Sequence, residues 1–387
     1  MNPVVLQVLP SLDTGGGGAE QTAFDVAEAL TNQQSPTFIA SSGGQIAEAT
    51  QQLGAIHITL PLASKNPIIM FLNVFRLKKV IKKYKINIVH ARSRAPAWSS
   101  KVAAKLMGCK FLTTFHGTYN FGPGVLGKFK KYYNSVMTEG DLVIANSNFI
   151  ADHLITLYNL STNKIRVIPR GVDVDKFTSE NISSSRVVEL KRLWGLNNDS
   201  IIVTLPGRLS RWKGQSLLIE AFSILNDRNE NNNANLVCLL VGSDQGRSSY
   251  RMELERLIES KNLKDVIKIH GHCSDMAAAY TITDIVISAS TRPEAFGRVI
   301  SEAQAMGCHV VAADHGGGAE QIVNGETGWL FKPNDAEELA TSISNILSMT
   351  ESDRLEISQK AISHVRMKYT KKEMCSATLK VYSELIS

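Results

Sequence analysis

The feature that most constrains this chain is a rhythm of short apolar runs dense in Val and Ile, each followed by a segment with helical spacing. VVLQVLP, PTFIAS, IHITLP, INIVHA, FLTTFH, LVIANS and IRVIP occupy roughly the first 170 residues. The runs are apolar nearly throughout, which is the pattern of parallel strands covered on both faces. Between such runs along the whole chain, AEQTAFDVAEAL, SLLIEAFSILN, YRMELERLIES and RVISEAQAM repeat apolar residues at helical spacing. After Pro169 the chain passes through GVDVDKF and a polar stretch from Thr178 to Ser185. A second series then begins: IIVTLPG, LVCLLVG, VIKIHG, DIVISAS, HVVAAD and GWLFK. The predicted class is α/β, with two doubly wound Rossmann-like domains over 1–175 and 176–368. A last helical stretch, 369–387, follows the completed second sheet and can cross back onto the first domain. Open parallel sheets bind ligands beyond the carboxyl ends of their strands, so two such domains are expected to face each other across a ligand-binding cleft.

Composition narrows the classes further. With 387 residues, 43% hydrophobic and 20% charged, the chain can build about two full cores. The stretch Met1 to Leu9 lacks a basic n-region, and no apolar run reaches the roughly 18 residues of a spanning helix. A cytoplasmic protein is expected, soluble or peripheral on the inner membrane. Cys109, Cys238, Cys273, Cys308 and Cys375 are odd in number and show no CxxC spacing, which suits reduced structural thiols. The net charge of +6 is too small at this length to imply nucleic acid.

The most specific segment is RPEAFGRVISEAQAMG, between the strand DIVISAS and a helix starting near Gly297. It places Glu294 before the helix and Glu302 inside it. Unpaired amides near Phe296, Gly297 and Arg298 can receive a phosphate, and the two carboxylates can accept hydrogen bonds from sugar hydroxyls. GRLSRWKG, directly after the strand IIVTLP, sets Arg208 and Lys213 where two cations can neutralise a departing diphosphate. TGGGGAEQ, at Thr14 to Gln21, lies between a strand and a helix, where glycines let backbone approach a ligand. It is not a dinucleotide fingerprint: Glu20 stands at the third Gly, and no acid ends the second strand.

The Glu294-to-Glu302 spacing, with DHGGGAEQIVNGETGWLF after it, resembles the E-x7-E signature of the retaining family 4 glycosyltransferases and its continuation. The resemblance runs over nearly the whole chain and is most specific over 204–332. It implies the GT-B fold and metal-independent transfer of a sugar from a nucleotide diphosphate donor, with retention of anomeric configuration. It assigns Glu294 to sugar hydroxyls, Glu302 to the ribose, Arg208 and Lys213 to the diphosphate, and His116 to the reacting side of the sugar. Gly17 and Gly18 would lie over the donor, with UDP-sugars favoured and GDP-mannose second. No cofactor is implied. The wording RPEAFGR and DHGGGAEQ resembles bacterial enzymes that extend lipopolysaccharide cores or other envelope glycans, so a lipid-linked or core glycan is the expected acceptor. A nucleotide-sugar epimerase of the same architecture and a non-catalytic sugar or lipid binder are the alternatives.

His90, in IVHARS, is either a second site histidine or a satisfied residue at a strand end. GPGVLGKF nearly spells a P-loop, but Phe129 occupies the position of the Mg²⁺-binding hydroxyl. Asp173-Val174-Asp175 mimics a metal-binding D-x-D within PRGVDVDKF, and His270, His272 and Cys273 lack a partner pair with zinc spacing; no metal site is expected. The run RLKKVIKKYK carries Arg76, Lys78, Lys79, Lys82, Lys83 and Lys85 on one amphipathic helix, and KFKKYY adds cations and aromatics. This is either a solvated face or a surface for anionic lipid.

Overall fold

In this computed structural model, residues 2–13, 18–119, 121–228 and 235–387 are described. Every apolar run named above is a strand. β1 (Val5–Val8), β2 (Thr37–Ser41), β3 (Ile56–Thr59), β4 (Ile88–Ala91), β5 (Lys110–Phe115), β6 (Leu142–Ala145) and β7 (Ile165–Val167) form a parallel sheet in the order 3-2-1-4-5-6-7. All four residues of β1 are buried, because helices cover both sheet faces. β1 pairs with both β2 and β4, Val5 lying opposite Thr37 on one side and Ile88 on the other. The chain therefore reverses its direction of winding at β1, and the crevice past β1 and β4 is the place where such sheets take ligands.

The second sheet has β8 (Ile201–Pro206), β9 (Leu236–Val241), β10 (Ile267–His270), β11 (Ile285–Ser288), β12 (His309–Ala313) and β13 (Trp329–Phe331), in the order 10-9-8-11-12-13. Its switch point lies between β8 and β11, where Ile285 sits opposite Val203. One face packs Val203, Leu205, Ile285 and Ile287 with Leu218 and Phe222 of the helix Gln215–Asp227. The other face buries Val286, Val310 and Ala312 with Ile300 and Ala303 of the helix Arg298–Ala305.

The chain divides into two units, Met1–Gly171 with Lys371–Ser387, and Val172–Thr370. The final helix, Lys371–Ile386, is part of the first unit because its apolar stripe completes that core. Met374, Val381, Tyr382 and Leu385 bury against Val26, Leu30, Ile88 and Leu112. Removing them from water contributes about 1.5–3 kcal/mol for each large side chain.

Candidate functional site

In the second unit the site is built from the loops that follow β8 and β11. The loop after β8 is pressed against its neighbours at glycines that cannot carry a side chain. A Cβ at Gly214 would lie 1.8 Å from the carbonyl oxygen of Ala289, and Gly214 also has φ +79°. A Cβ at Gly242 would lie 1.9 Å from the oxygen of Gly207. This close approach carries Lys213 to the end of β11. There Lys213 Nζ lies 2.7 Å from Glu294 Oε1, with side chains only 14% and 13% exposed. Ser290 Oγ donates to the same carboxylate oxygen, and Lys213 Nζ lies 4.6 Å from the centre of the Trp212 ring.

Glu294 is also held through its backbone. Its carbonyl accepts from Gly317 N at 2.8 Å, and a Cβ at Gly316 would fall 2.7 Å from that carbonyl oxygen. His315 Nε2 lies 2.7 Å from Ser290 O. Because a carbonyl can only accept, that ring nitrogen carries the proton. Gln321 bridges the same loops, its amide donating to Phe296 O and, at 3.3 Å each, to Gly297 O and Gly317 O. Phe296 itself turns inward and packs its ring against Tyr369 at 5.9 Å. Gly297, at φ +81°, caps the helix Arg298–Ala305.

Arg208 is exposed, with Nη1 3.2 Å from Gln245 Oε1, while its carbonyl accepts from Gln215 Nε2 at 2.9 Å. Glu302 is buried. Burial pushes its carboxyl above the ordinary range, opposed by the positive charge of Arg298 and a hydrogen bond from Tyr280. Both contacts are long, 3.5 Å from Arg298 Nε and 3.3 Å from Tyr280 Oη.

His116 and Gly18 belong to the first unit. Gly18 opens the helix Gly18–Asn32, its carbonyl accepting from Thr22 Oγ1 at 2.6 Å; Gly17 lies outside the described residues. His116 follows β5, its Nδ1 3.2 Å from Arg170 Nη2. Burial, with the charges of Arg170 and Arg92, holds its imidazole well below the ordinary histidine range. His90 is a structural tie: Nδ1 lies 2.8 Å from Tyr382 Oη and Nε2 2.7 Å from Thr114 Oγ1, joining β4 to β5 and the C-terminal helix. The structure adds two residues that sequence reading passed over, Arg92 after β4 and Arg170 after β7. Their signal was available, since each is a cation shortly after a strand's carboxyl end, as Arg208 is.

The motifs set aside as imitations have structural work of their own. Asp173 Oδ1 accepts from Asp175 N and Lys176 N at 3.2 Å each, closing a turn. The His270 ring stacks on Trp194 at 5.0 Å. Cys238, Cys308 and Cys375 are buried thiols whose pKa burial raises.

Comparison with known proteins accords with this architecture. The family described as "Glycosyltransferase Family 4" matches residues 16–176, and "Glycosyl transferases group 1" matches 188–364. A crystal structure of a glycosyltransferase from Rickettsia africae superposes with a TM-score of 0.90 at 37% identity, over 100% of this chain and 99% of that one. The chain belongs to the family 4 glycosyltransferases. In fold, this glycosyltransferase also resembles HepE of Anabaena, solved in complex with UDP (TM-score 0.82, 23% identity, 99% of this chain and 100% of that one). It is 33% identical over 236 residues to the D-inositol 3-phosphate glycosyltransferase of Actinosynnema mirum, 60% of this chain and 54% of that protein. It thus spans a little over half the length of that curated relative, and 59% of one from Corynebacterium jeikeium.

Proposed function

We propose that the chain transfers a sugar from a nucleotide diphosphate sugar, with UDP-sugars favoured, to a lipid-linked or lipopolysaccharide-core glycan with retention of configuration. The observation that carries this reading is the shielded Lys213–Glu294 pair at the end of β11, with Arg208 exposed on the adjoining loop. Lys213 is a cation placed beside a carboxylate that can accept from sugar hydroxyls. As the bond from the anomeric carbon to the phosphate oxygen breaks, its electron pair goes to the departing diphosphate. Lys213 and Arg208 stabilise the charge that grows there. HepE, whose structure contains UDP, supports a uridine donor through fold likeness alone. The acceptor's hydroxyl oxygen takes the anomeric carbon as its proton passes to the departing diphosphate oxygen, and positioning supplies much of the rate.

A lipid-linked acceptor is supported by the surface of the first unit. The helix Pro67–Tyr84 begins with Asn66 accepting from Ile68 N and ends at Lys85 with φ 52°. Its outer face leaves Ile68, Phe71, Leu72 and Phe75 exposed, then continues into Lys79, Lys82 and Lys83. Phe71 and Phe75 meet edge to face at 5.2 Å. Arg76 instead turns back to Asn73 Oδ1 at 2.8 Å. The helix Gly124–Ser135 adds exposed Val125, Leu126, Phe129 and Tyr132 beside Lys128 and Lys130. Aromatics with lysines suit an anionic lipid surface, each cation contributing about 1 kcal/mol near it. No helix among the described residues is long and apolar enough to cross a membrane.

Calorimetry with UDP-, GDP- and ADP-sugars in EDTA tests the donor site. One donor should bind without metal and bind more weakly to Glu294→Ala and Arg208→Ala. Binding restored only by Mg²⁺ or Mn²⁺, or absent for every donor, overturns the reading. For the acceptor, the protein should sediment with vesicles containing anionic phospholipid and much less with neutral ones, and Phe71→Ser/Phe75→Ser should release it. Equal sedimentation with both, or turnover on inositol phosphate but on no lipid-linked glycan, refutes the lipid-linked acceptor.

A further inference from the structure

The carboxylate that the family resemblance assigns to the ribose lies within the second unit, and so do the groups that hold it. Glu302 stands on the helix Arg298–Ala305 with its side chain 11% exposed, so a ligand can reach it. An ionised carboxylate has room for about four hydrogen bonds. Among the described residues this one makes a single hydrogen bond, Oε2 accepting from Tyr280 Oη at 3.3 Å, and a single ion pair, Oε1 with Arg298 Nε at 3.5 Å. Both exceed the roughly 2.5–2.9 Å of a well-made charge-assisted contact. The carboxylate is therefore held between two partners and saturated by neither.

The two partners differ in freedom. Arg298 lies one helical turn before Glu302, and its side chain is 39% exposed and can swing. Tyr280 is 1% exposed, with its ring 6.0 Å from that of Phe177. Its carbonyl accepts from Thr283 N at 3.1 Å and from Cys308 Sγ at 3.2 Å. Asp275 caps the short helix Met276–Thr281 that carries it, accepting from Ala278 N at 3.1 Å. A phenol has one proton to give. Burial, reinforced by the negative charge of Glu302, keeps that proton on Tyr280 well past the ordinary tyrosine range. Glu302 is the only acceptor that Tyr280 Oη meets among the described residues.

We propose that Tyr280 is a positioning residue that holds Glu302 off Arg298 and keeps its carboxylate open to two ribose hydroxyls of the donor nucleotide. The proposal rests on Glu302 taking the ribose in the donor site read above. Two neighbouring hydroxyls of one ring can each donate to one oxygen of a carboxylate, which requires that the carboxylate plane be fixed. A buried tyrosine fixes it from the Oε2 side. Without that hydroxyl, the i,i+4 pair with Arg298 is free to shorten, and a closed ion pair occupies the acceptor positions that the ribose needs.

Nucleotide binding tests this without catalysis. UDP, or GDP if UDP does not bind, is compared by calorimetry with the 2′-deoxy and 3′-deoxy forms of the same diphosphate. The wild type should bind the ribonucleotide about tenfold more tightly than either deoxy form, the loss left by an unpaired buried acceptor. Tyr280→Phe keeps the ring and its packing. It should bind the ribonucleotide about fivefold more weakly, the size of one hydrogen bond, and the deoxy forms nearly as before. Arg298→Gln, added to Tyr280→Phe, removes the competing cation and should restore much of the discrimination. In a Glu302→Gln background, Tyr280→Phe should change the discrimination no further. A tyrosine that only packs would weaken all three nucleotides equally, and that result overturns the proposal. Wild-type discrimination in Tyr280→Phe, or no recovery on adding Arg298→Gln, overturns it as well. A wild type that binds ribonucleotide and deoxy forms alike refutes instead the assignment of Glu302 to the ribose, and binding of neither diphosphate refutes the donor site itself. In turnover, Tyr280→Phe should act on the donor KM more than on kcat; a lowered kcat at unchanged KM refutes the positioning role.

Discussion

Replacing Lys213 isolates the interaction on which the proposed chemistry depends most. Lys213 and Glu294 stand 2.7 Å apart, each more than four-fifths buried. At an effective dielectric of about 20, two unit charges at that distance attract by about 6 kcal/mol. Much of this offsets the cost of taking both charges out of water, and removing one partner of such a pair costs about 3 kcal/mol, the rest being recovered by solvent. Lys213→Ala also exposes the Trp212 ring that the lysine covers. Lys213→Met keeps the apolar stem and removes only the charge, so it should unfold at a higher urea concentration than Lys213→Ala. In catalysis the two variants should be alike. Losing one charged group that meets the departing diphosphate lowers kcat by about 100-fold, or about 2.7 kcal/mol. The assay is steady-state release of nucleoside diphosphate at saturating donor, on protein shown to be folded by circular dichroism. Glu294→Gln should be impaired as well, and the double variant should lose less than the product of the single effects because the two groups act as a pair. Folded Lys213→Met with kcat within threefold of wild type would refute the assignment of leaving-group stabilisation to this residue.

Other outcomes follow from the same structure. Tyr382→Phe removes the hydroxyl that meets His90 Nδ1 at 2.8 Å in a fully buried setting and should cost about 1–3 kcal/mol in chemical denaturation; an unchanged midpoint would mean that this tie is not stabilising. Acidification should destabilise the second unit through His309, whose pKa burial lowers to about 4. The unfolded chain binds a proton near pH 6.5 that the folded one refuses, so this stabilisation is complete above pH 6.5 and falls by up to about 1.4 kcal/mol per pH unit down to about pH 4. His309→Asn should flatten the urea midpoint against pH over that window, and an identical slope would refute the attribution.

Much of the fold is legible from local pattern, and the reason is burial on both sheet faces. A strand such as VVLQVLP must be apolar along nearly its whole length to lie between two helix layers, and this marks it without reference to its neighbours. Strand order is not marked in that way. Nothing within PTFIAS or INIVHA says that β1 pairs with both β2 and β4, because order is set by which crossover packs where. The acids of RPEAFGRVISEAQAMG could be found by spacing because the strand, the loop and the helix that carry them are consecutive. Lys213 could be found because it follows a strand directly, but its pairing with Glu294 spans 81 residues and depends on Gly214 meeting Ala289.

The histidines show the division most clearly. By itself the sequence determined two doubly wound units, their helices, the Gly-rich turns and a set of polar residues at strand ends, since each follows from apolar period or from chain neighbours. Only the tertiary structure decided which polar residues serve which purpose. His90 and His116 both sit at strand ends in similar local sequence. One has both ring nitrogens occupied, by Tyr382 from 292 residues away and by Thr114. The other has one nitrogen bound to Arg170 and the other without a partner among the described residues. A ring's role depends on which donors and acceptors reach its two nitrogens, and those partners are brought there by packing between segments distant in the chain.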